Sequence, residues 1–223
     1  MKKCLVISGG DFYDAPGSLY DEADFVIACD KGWNYAKKLG FMPDVVIGDF
    51  DSCEMPPVEG DADVPEGDTA TSESAPKIIK LSRDKLDSDT LAAVKYAETQ
   101  ECTDFTFICA AGGRFDHFFC NIQSLSYAAQ RYSKARLLSQ NEEIYVIKNT
   151  SIEIAKKEGW SLSVFSLCDE SRGIAEKGTR WQLNDAVMNN SAPYGLSNEW
   201  ADAKAVISVE EGTLIIILSK MEK

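Results

Sequence analysis

The sequence predicts a mixed α/β protein in which a Rossmann-like, mainly parallel, doubly wound sheet is followed by an all-β sandwich or barrel. Up to about residue 140, short apolar runs alternate with helical patterns, which is typical of parallel strands joined by helices. Beyond that point, strand-like segments follow one another, separated by Gly, Asn, Asp or Ser, and no convincing helix interrupts them. We therefore predict an α/β domain over residues 1–140 and an all-β domain over residues 141–223.

Strands of the first domain are predicted from short apolar runs that end in turn residues. The run KCLVIS, for example, stops at Gly9-Gly10. Helices are predicted where apolar residues recur three or four positions apart, and Gly40 provides an end signal for the first of them. The predicted strands cover residues 3–8, 24–29, 44–47, 77–81, 104–110 and 135–139, and the predicted helices cover residues 31–39, 88–100 and 115–132.

The second domain is predicted from a series of short strand-like segments. They cover residues 142–149, 151–155, 160–167, 178–184, 204–210 and 213–219. A domain of roughly 80 residues can close a core with strands of this length. In the first domain, residues 54–76 have no apolar period and are rich in Pro, Gly, Ser and acidic residues. We predict a long exposed loop there, because such a composition buries little apolar surface.

Composition and charge exclude several classes of function. The net charge of −13 and the lack of a basic run argue against a nucleic-acid partner, because such binding depends on Lys and Arg that neutralise phosphates. A polyphosphate ligand would need metal ions and a few local cations. No apolar run is long enough to span a membrane, and the seven scattered cysteines include no C-x-x-C pair. We therefore expect a cytoplasmic protein with neither a disulfide framework nor a zinc site.

The strongest local signal for chemistry is the segment PDVVIGDFDS at residues 43–52. A buried strand there delivers Asp49 and Asp51 at its carboxyl end, which is the edge where open α/β sheets bind ligands. Residues two apart in an extended chain point to the same side, so both carboxylates can face one cation such as Mg²⁺. Taken alone, D-x-D-S more often forms a turn whose Asp and Ser bind the loop backbone.

A second acidic group, DKLDSDT at residues 84–90, lies between a strand and a helix. Ser88 or Asp87 can cap the helix, and Asp89 then lies in its first turn, where the helix dipole favours negative charge. By itself this motif indicates a helix cap more than a metal site.

The third group, GGRFDH at residues 112–117, joins a strand to the longest predicted helix. Glycines at such a junction let backbone N–H groups approach an anion, and the helix N-terminus favours negative charge. Arg114 adds a planar guanidinium that matches phosphate oxygens, so the group indicates a phosphate site. His117 is the only histidine, which excludes a multi-histidine metal site; it is either a general base or a structural polar residue.

Together these blocks resemble the thiamine pyrophosphokinase family. The resemblance rests on Asp30-Lys31-Gly32, PDVVIGDFDS, KLDSDT and GGRFDHFFCNIQSL in the first domain, and on SAPYGLSNE at residues 191–199 in the second. It implies that pyrophosphate is transferred from ATP to the hydroxyl of thiamine, which yields thiamine diphosphate and AMP. It also implies a homodimer whose substrate sites are shared between subunits.

The resemblance further implies a role for each matched residue. The catalytic set would be Asp49, Asp51, Asp89, Arg114 and Asp116, of which Asp49, Asp51 and Asp89 would hold Mg²⁺. The residues that would contact ATP are Asp30, Gly32, Ser88, Gly113, Arg114 and Asn121, and those that would contact thiamine are Ser197, Asn198 and Trp200. Trp181 or Trp200 would stack on the thiamine ring by cation–π attraction, unless it is an ordinary core residue.

One position departs from the family pattern. Where the family usually has K-D-x-T-D, this chain has Lys85-Leu86-Asp87-Ser88-Asp89, so Leu86 replaces an acidic residue. Either Asp87 takes over from the neighbouring position, or that carboxylate is dispensable. The replacement by Leu86 bears on the rate of the reaction and on the number of metal ions that the site binds.

Two other functions remain open from the sequence. One is a related diphosphokinase or phosphotransferase that acts on a pterin or a thiamine analogue, since the α/β motifs recognise only the nucleotide. The other is a protein that binds thiamine and nucleotide but has lost turnover, which the replacement of a family carboxylate by Leu86 suggests. A nicotinamide oxidoreductase is disfavoured, because no G-x-G-x-x-G follows the first strand.

Overall fold

The computed structural model describes residues 1–51, 75–131 and 134–221. Most of the loop predicted over residues 54–76 therefore lies outside the described residues. The chain divides into two compact units, Met1–Ser124 and Leu125–Lys223. This division falls within the longest helix, and the functional boundary that we predict at residue 140 stays a prediction.

The first unit is built on parallel strands. They are β1 (Lys2–Ile7), β2 (Phe25–Cys29), β3 (Val45–Gly48), β4 (Lys77–Lys80) and β5 (Cys102–Ile108). They pair in the order β4-β3-β2-β1-β5, with Val6 of β1 opposite Ile27 on one side and Phe107 on the other. These side chains are buried, so the apolar runs that predicted the strands form the core and the predicted parallel arrangement is confirmed.

Helices follow or connect these strands. In the described ranges they are α1 (Ser18–Asp21), α2 (Gly32–Leu39), α3 (Asp89–Thr99) and α4 (Phe115–Arg131). α2 ends at Gly40, whose φ of 72° provides the left-handed cap that the sequence predicts. The four-residue α1 is not among the predicted helices, because a single turn carries no apolar periodicity. Within the described residues, none of the helices combines the length and the apolarity that crossing a membrane requires.

The strand order points to one edge of the sheet as a ligand site. The chain moves outward from β1 to β4 and then crosses to β5 on the other side of β1, and such a change of direction opens a crevice at the carboxyl ends of the strands. Just after three of the strands, Asp30, Phe50 and Cys109 have positive φ values of 47°, 58° and 51°. Non-glycine residues in this conformation cost roughly 1–3 kcal/mol each and cluster at functional sites.

The second unit contains two sets of antiparallel strands, of which one is a separate four-stranded sheet. Its strands are β6 (Lys134–Leu138), β7 (Glu142–Lys148), β8 (Ser151–Ala155), β9 (Trp160–Ser166), β10 (Ser171–Lys177), β11 (Leu183–Met188), β12 (Lys204–Ser208) and β13 (Thr213–Lys220). β6, β7, β13 and β9 pair in that order, and β11, β10, β12 and β8 pair in the four-stranded sheet. Leu162 and Ile216 from the first set and Ile174 and Ile207 from the second share one buried cluster.

Two strand predictions differ from the structure. The strand predicted over residues 178–184 is wrong, because residues 178–182 form a turn with a single bridge from Thr179 to Trp200, and β10 and β11 lie on either side of it. The sequence of β10, SRGIAEK, contains Ile174 as its only large apolar residue, so its pattern is weak. The strand predicted over residues 135–139 exists as β6, which covers Lys134–Leu138 and pairs antiparallel with β7.

Candidate functional site

Three aspartates meet at the carboxyl ends of β2 and β3. One carboxylate oxygen from each of Asp30, Asp49 and Asp51 lies within 4.8 Å of the other two. Asp30 is buried, Asp49 is partly buried and Asp51 is exposed, so the group is open to solvent on one side. The structure therefore brings Asp30, which the family resemblance assigns to ATP, together with two of the three aspartates predicted to hold Mg²⁺.

Two backbone features allow these carboxylates to converge. Phe50 has a φ of 58°, and this turn lets the Asp51 N–H donate to Oδ1 of Asp49 at 3.3 Å. At Gly48, a Cβ atom would lie only 3.0 Å from the Cβ of Asp30 and 3.1 Å from its Cα, so the close approach of β3 to Asp30 favours a glycine there. The D-x-D-S segment thus forms the turn that its composition favours and still presents both carboxylates to Asp30.

Lys85, which the sequence prediction does not include, contacts this cluster. Its Nζ lies 2.8 Å from Oδ2 of Asp49 and 3.0 Å from Oδ1 of Asp89, and its side chain is only 18% exposed. The sequence could have indicated the contact with Asp89, because Lys85 and Asp89 are four residues apart, a spacing that allows an ion pair at the start of a helix. The contact with Asp49 has no such signal, because the two residues are far apart in the sequence.

Burial and the shared lysine act together on the protonation of these groups. The hydrogen bond from Lys85 holds the pKa of Asp49 below its ordinary value. Burial raises the pKa of Asp89 above its ordinary value, even though Lys85 acts in the opposite direction. Burial also opposes the charge on Lys85, but its hydrogen bonds to Asp49 and Asp89 outweigh that effect and raise the pKa of the ammonium group. The two carboxylates therefore hold the ammonium in its charged form.

The position that departs from the family pattern points away from the cluster. Leu86 is fully exposed, and the carboxylate of Asp87 pairs with Nζ of Lys95 on α3 at 2.6 Å. Asp87 therefore neutralises a helix lysine instead of joining the three clustered aspartates. This geometry favours the interpretation in which the missing family carboxylate is dispensable.

The glycine turn before α4 presents Arg114 to solvent. Gly112 and Gly113 have φ values of 74° and 67°, and a Cβ on Gly112 would lie 2.0 Å from Oδ2 of Asp11, so the conformation and the space both favour glycine. Arg114 donates from Nη2 and Nε to the Asp116 carboxylate at 2.6 Å and 3.1 Å, and these hydrogen bonds lower the pKa of Asp116. Both side chains are largely exposed. The guanidinium is thus oriented by Asp116 and accessible to an anion.

Three other residues assigned to ATP make structural contacts. Gly32 begins α2, where a Cβ would lie 2.1 Å from the carbonyl oxygen of Ile7. Ser88 caps α3 by accepting a backbone N–H at its Oγ, as the sequence predicts. Asn121 is buried, and its Nδ2 donates to the carbonyl oxygen of Ala110 at 2.8 Å, which ties α4 to the residues after β5. A direct contact with ATP stays a prediction for each of the three residues.

In the second unit, Asn198 organises the turn that carries the predicted thiamine contacts. Its buried Nδ2 donates to Oε2 of Glu176 at 3.0 Å and to the carbonyl oxygen of Trp181 at 2.8 Å. Its Oδ1 accepts the N–H groups of Trp181 at 3.1 Å and of Glu199 at 2.9 Å. The Asn198 side chain is therefore engaged by protein atoms, whereas its neighbour Ser197 is exposed and has a φ of 58°.

The two tryptophans considered for stacking differ in exposure. Trp200 is buried in the core of the second unit, and its Nε1 donates to the carbonyl oxygen of Ile154 at 3.3 Å. Trp181 is 55% exposed, with the guanidinium of Arg180 4.7 Å from its ring centroid. The structure supports the core interpretation for Trp200 and leaves Trp181 as an exposed aromatic ring.

A cavity in the second unit lies beside the segment that resembles the family's thiamine-contacting part. Its volume is about 230 Å³, and it is lined in part by Val164, Ser166, Met188, Pro193 and Tyr194. Pro193 and Tyr194 belong to that segment, so residues 191–199 border a concave, largely apolar surface.

The three clustered aspartates fit a hard divalent cation. Mg²⁺ binds oxygen ligands at about 2.0–2.1 Å, so ligand oxygens around it lie roughly 3–4 Å apart. The carboxylate oxygens of Asp30, Asp49 and Asp51 lie within 4.8 Å of one another, so closing around the ion needs shifts of about 1 Å. The remaining positions of an octahedral shell are then left for water and phosphate oxygens.

The fold and the site together define an α/β protein that carries an acidic cluster at the carboxyl ends of parallel strands. Residues 17–137 match the family described as thiamin pyrophosphokinase, catalytic domain, and residues 149–214 match thiamin pyrophosphokinase, vitamin B1 binding domain. The chain belongs to the thiamin pyrophosphokinase family.

Individual relatives match over nearly the whole chain. The chain is 25% identical over 223 residues to thiamine pyrophosphokinase of Bacillus subtilis (strain 168), with 98% of this chain and 99% of the relative covered. A crystal structure of thiamine pyrophosphokinase from Bacillus subtilis superimposes with a TM-score of 0.79 at 22% identity, covering 100% of both chains. Thiamin pyrophosphokinase from Candida albicans gives a TM-score of 0.75 at 15% identity, covering 98% of this chain and 89% of that one. These two structural likenesses show a shared fold.

Proposed function

We propose that this chain transfers the pyrophosphate group of ATP to the hydroxyl of thiamine, which yields thiamine diphosphate and AMP. The observation that carries the proposal is the convergence of Asp30, Asp49 and Asp51 within the part of the chain that matches the catalytic domain. The match of residues 149–214 to a vitamin B1 binding domain supports thiamine as the acceptor. The Bacillus subtilis relative with the same name supports the whole reaction.

In this reaction the hydroxyl oxygen of thiamine attacks the β-phosphorus of ATP and forms the new O–P bond. The bond between that phosphorus and the oxygen bridging to the α-phosphate breaks, so AMP leaves with the electron pair, and the hydroxyl proton is released. Proteins accelerate such transfers mainly by positioning the groups and by neutralising charge. We assign Asp49, Asp51 and Asp89 as Mg²⁺ ligands, with Asp30 as a further ligand from the cluster. Mg²⁺ held there would neutralise charge on the polyphosphate.

Arg114 is the proposed phosphate-binding cation of the glycine turn. Its two hydrogen bonds to Asp116 limit the orientations of the guanidinium, and its other N–H groups remain to meet phosphate oxygens. The backbone at Gly113 and the N-terminus of α4 add donors for the same anion. Asp89 is assigned the task of orienting the thiamine hydroxyl.

Thiamine is proposed to contact the turn at residues 197–199. Ser197 is exposed there, and Asn198 holds the turn in shape through its bonds to Trp181 and Glu199. The cationic ring of thiamine suits the exposed face of Trp181. Trp200 supports the turn from the core.

We also propose a domain architecture, an oligomeric state and a cellular location for this chain. The parallel strand order supports a Rossmann-like, doubly wound arrangement in a catalytic domain over residues 1–140. The buried cluster shared by the two sets of antiparallel strands supports an all-β sandwich in a thiamine-binding domain over residues 141–223. The family resemblance supports a homodimer with shared substrate sites. The acidic composition argues against a nucleic-acid partner, and the scattered cysteines support a cytoplasmic protein.

Coupled detection of AMP and thiamine diphosphate tests the reaction. Purified protein with ATP, thiamine and Mg²⁺ should form both products in equal amounts. Asp51→Asn should lower kcat by about 100-fold or more, because it removes one charged oxygen ligand from the cluster. Asp21→Asn is the matched control, since Asp21 is an exposed aspartate on α1, and it should keep the activity of the unchanged protein.

Other outcomes would point to the alternative functions. ADP in place of AMP would mean transfer of a single phosphate and would contradict the proposal. Saturable thiamine binding without release of AMP would identify a binding protein that lacks turnover. Preferential turnover of a pterin or a thiamine analogue in competition with thiamine would change the acceptor but keep the class of reaction.

A further inference from the structure

Lys85 occupies the space between two carboxylates at the candidate metal site. Its Nζ lies 2.8 Å from Asp49 and 3.0 Å from Asp89, and the side chains of Lys85, Asp49 and Asp89 are 18%, 15% and 25% exposed. Charge pairs sheltered to this degree are screened less by salt than pairs on the open surface. The chain thus carries a cation of its own at the acidic site.

A divalent cation would need some of the same oxygens. Asp49 belongs to the lysine pair and also to the cluster with Asp30 and Asp51. An ion about 2 Å from Oδ2 of Asp49, the oxygen that contacts Lys85, would lie within roughly 5 Å of the ammonium group, where two positive charges repel each other. The ammonium and the metal ion therefore cannot both hold Asp49 at full strength.

We propose that Lys85 is an internal counter-ion of the metal site, which holds Asp49 and Asp89 when no divalent cation is bound and which an incoming cation must displace. The inference rests on the proposed function only in taking Asp49 as a metal ligand. Lys85 keeps the acidic residues together in the empty site, and it lowers the affinity for a bare cation. A cation that arrives with a polyphosphate brings extra negative charge, so this arrangement favours the metal–nucleotide complex over the free ion.

Binding of Mn²⁺ in the absence of ATP and thiamine tests the inference. Lys85→Met removes the charge and keeps most of the side-chain length, and it should bind Mn²⁺ about tenfold more tightly because the competing cation is gone. Lys85→Arg keeps a cation in place and should stay within about threefold of the unchanged protein. The free Mn²⁺ concentration is measured from its EPR signal during titration at fixed ionic strength.

Lys95→Met provides the matched control. Lys95 pairs with Asp87 at 2.6 Å, so this variant removes the same charge from the same region and leaves the contacts of Asp49 and Asp89 with Lys85 in place. The affinity for Mn²⁺ should change by less than about twofold, because the charge that is lost lies outside the site.

Thermal unfolding gives a second measurement that needs no turnover. Without metal, Lys85→Met should unfold at a lower temperature than the unchanged protein, because Asp49 and Asp89 lose their counter-ion. Saturating Mn²⁺ should then raise its unfolding temperature by more than it raises that of the unchanged protein, since a tighter ligand stabilises the folded state more. If Lys85→Met does not fold, Lys85→Gln replaces it in both measurements.

Three results would overturn the inference. Lys85→Met could bind Mn²⁺ no more tightly than the unchanged protein, or Lys95→Met could gain as much affinity as Lys85→Met. Failure of every variant to bind Mn²⁺ would overturn it as well. If AMP and thiamine diphosphate still form in any of these cases, the proposed function stands without the inference. If Lys85→Met binds Mn²⁺ more tightly but the protein releases no AMP, the inference stands and the proposed function is contradicted.

Discussion

Among the described residues of the second unit, Glu176 is the most deeply buried carboxylate. It is 2% exposed, and its Oε2 accepts a hydrogen bond from Nδ2 of Asn198 at 3.0 Å. Burial raises its pKa from 4.5 to about 7, although the bond from Asn198 acts in the opposite direction. Burial and the charge of Glu176 also raise the pKa of Tyr194. The folded chain therefore binds this proton more tightly than the unfolded chain does.

This difference predicts how stability depends on pH. Between pH 4.5 and about 7 the folded protein carries more protons on Glu176 than the unfolded chain, so the free energy of unfolding falls as the pH rises through that range. Glu176→Gln keeps an acceptor for Asn198 but cannot ionise. From about pH 5 to pH 8 its free energy of unfolding should fall by roughly 2–3 kcal/mol less than that of the unchanged protein.

Urea denaturation at a series of pH values measures this effect. All other titrating groups are shared by the two proteins, so the difference between their pH profiles isolates Glu176. Parallel profiles would contradict the prediction and would mean that Glu176 titrates near its ordinary pKa.

At the scale of single elements, the first turn of α3 lies beside the candidate site. Its cap residue, Ser88, accepts the N–H of Leu91 at 3.2 Å, and its first residue, Asp89, pairs with Lys85. Thr90 adds a hydrogen bond between its Oγ1 and the Oγ of Ser8, at 3.0 Å, directly after β1. The first turn of α3 is therefore both a helix cap and a part of the acidic site.

Removing the cap should affect stability and site together. Ser88→Ala should lower the free energy of unfolding by about 1 kcal/mol, because the Leu91 N–H loses its acceptor. Ser88→Thr, which keeps the hydroxyl, should restore most of that loss. Urea denaturation of the three proteins measures the cap, and their KM values for ATP test the predicted contact with the nucleotide. A Ser88→Ala protein with unchanged stability would contradict the cap's contribution.

At the scale of the whole molecule, each compact unit has its own core. In the first unit the strands bury Leu5, Ile27 and Phe107, next to the edge that carries the acidic site. In the second unit Trp200 and Ile216 belong to a cluster that draws on both sets of antiparallel strands. A substitution in either core is therefore expected to act first on the unit that contains it.

Substitutions of Trp181 and Trp200 in the second unit separate the effect of packing from that of substrate contact. Trp200→Leu should lower the free energy of unfolding by about 3 kcal/mol, because it leaves a cavity in the core and removes the bond to Ile154. Trp181→Leu should change it by less than about 0.5 kcal/mol, because the ring is exposed, but should raise the KM for thiamine. Denaturation and steady-state kinetics measure both effects. A stable Trp200→Leu protein with a raised KM would return the stacking role to Trp200.

Local features of the sequence were sufficient for much of the fold and for part of the site. Apolar runs such as KCLVIS predict buried strands, because a strand covered on both faces must be apolar throughout. Gly40 and Ser88 predict helix ends, because the cap conformation and the capping oxygen are properties of single residues. Asp49 and Asp51 could be assigned to one site because both directly follow the same strand, although a turn at Phe50, instead of an extended backbone, brings their carboxylates together.

The sequence by itself therefore determined the parallel α/β half, the strand-rich half, and the segments that carry the acidic, glycine-rich and thiamine-type motifs. Only the tertiary structure decided that Asp30 joins Asp49, that Lys85 lies between Asp49 and Asp89, that β6 runs antiparallel to β7, and that Trp200 is a core residue. These features depend on contacts between residues far apart in the chain. Local propensity and spacing carry no information about such contacts, because the energy that selects them arises only when the strands and helices pack.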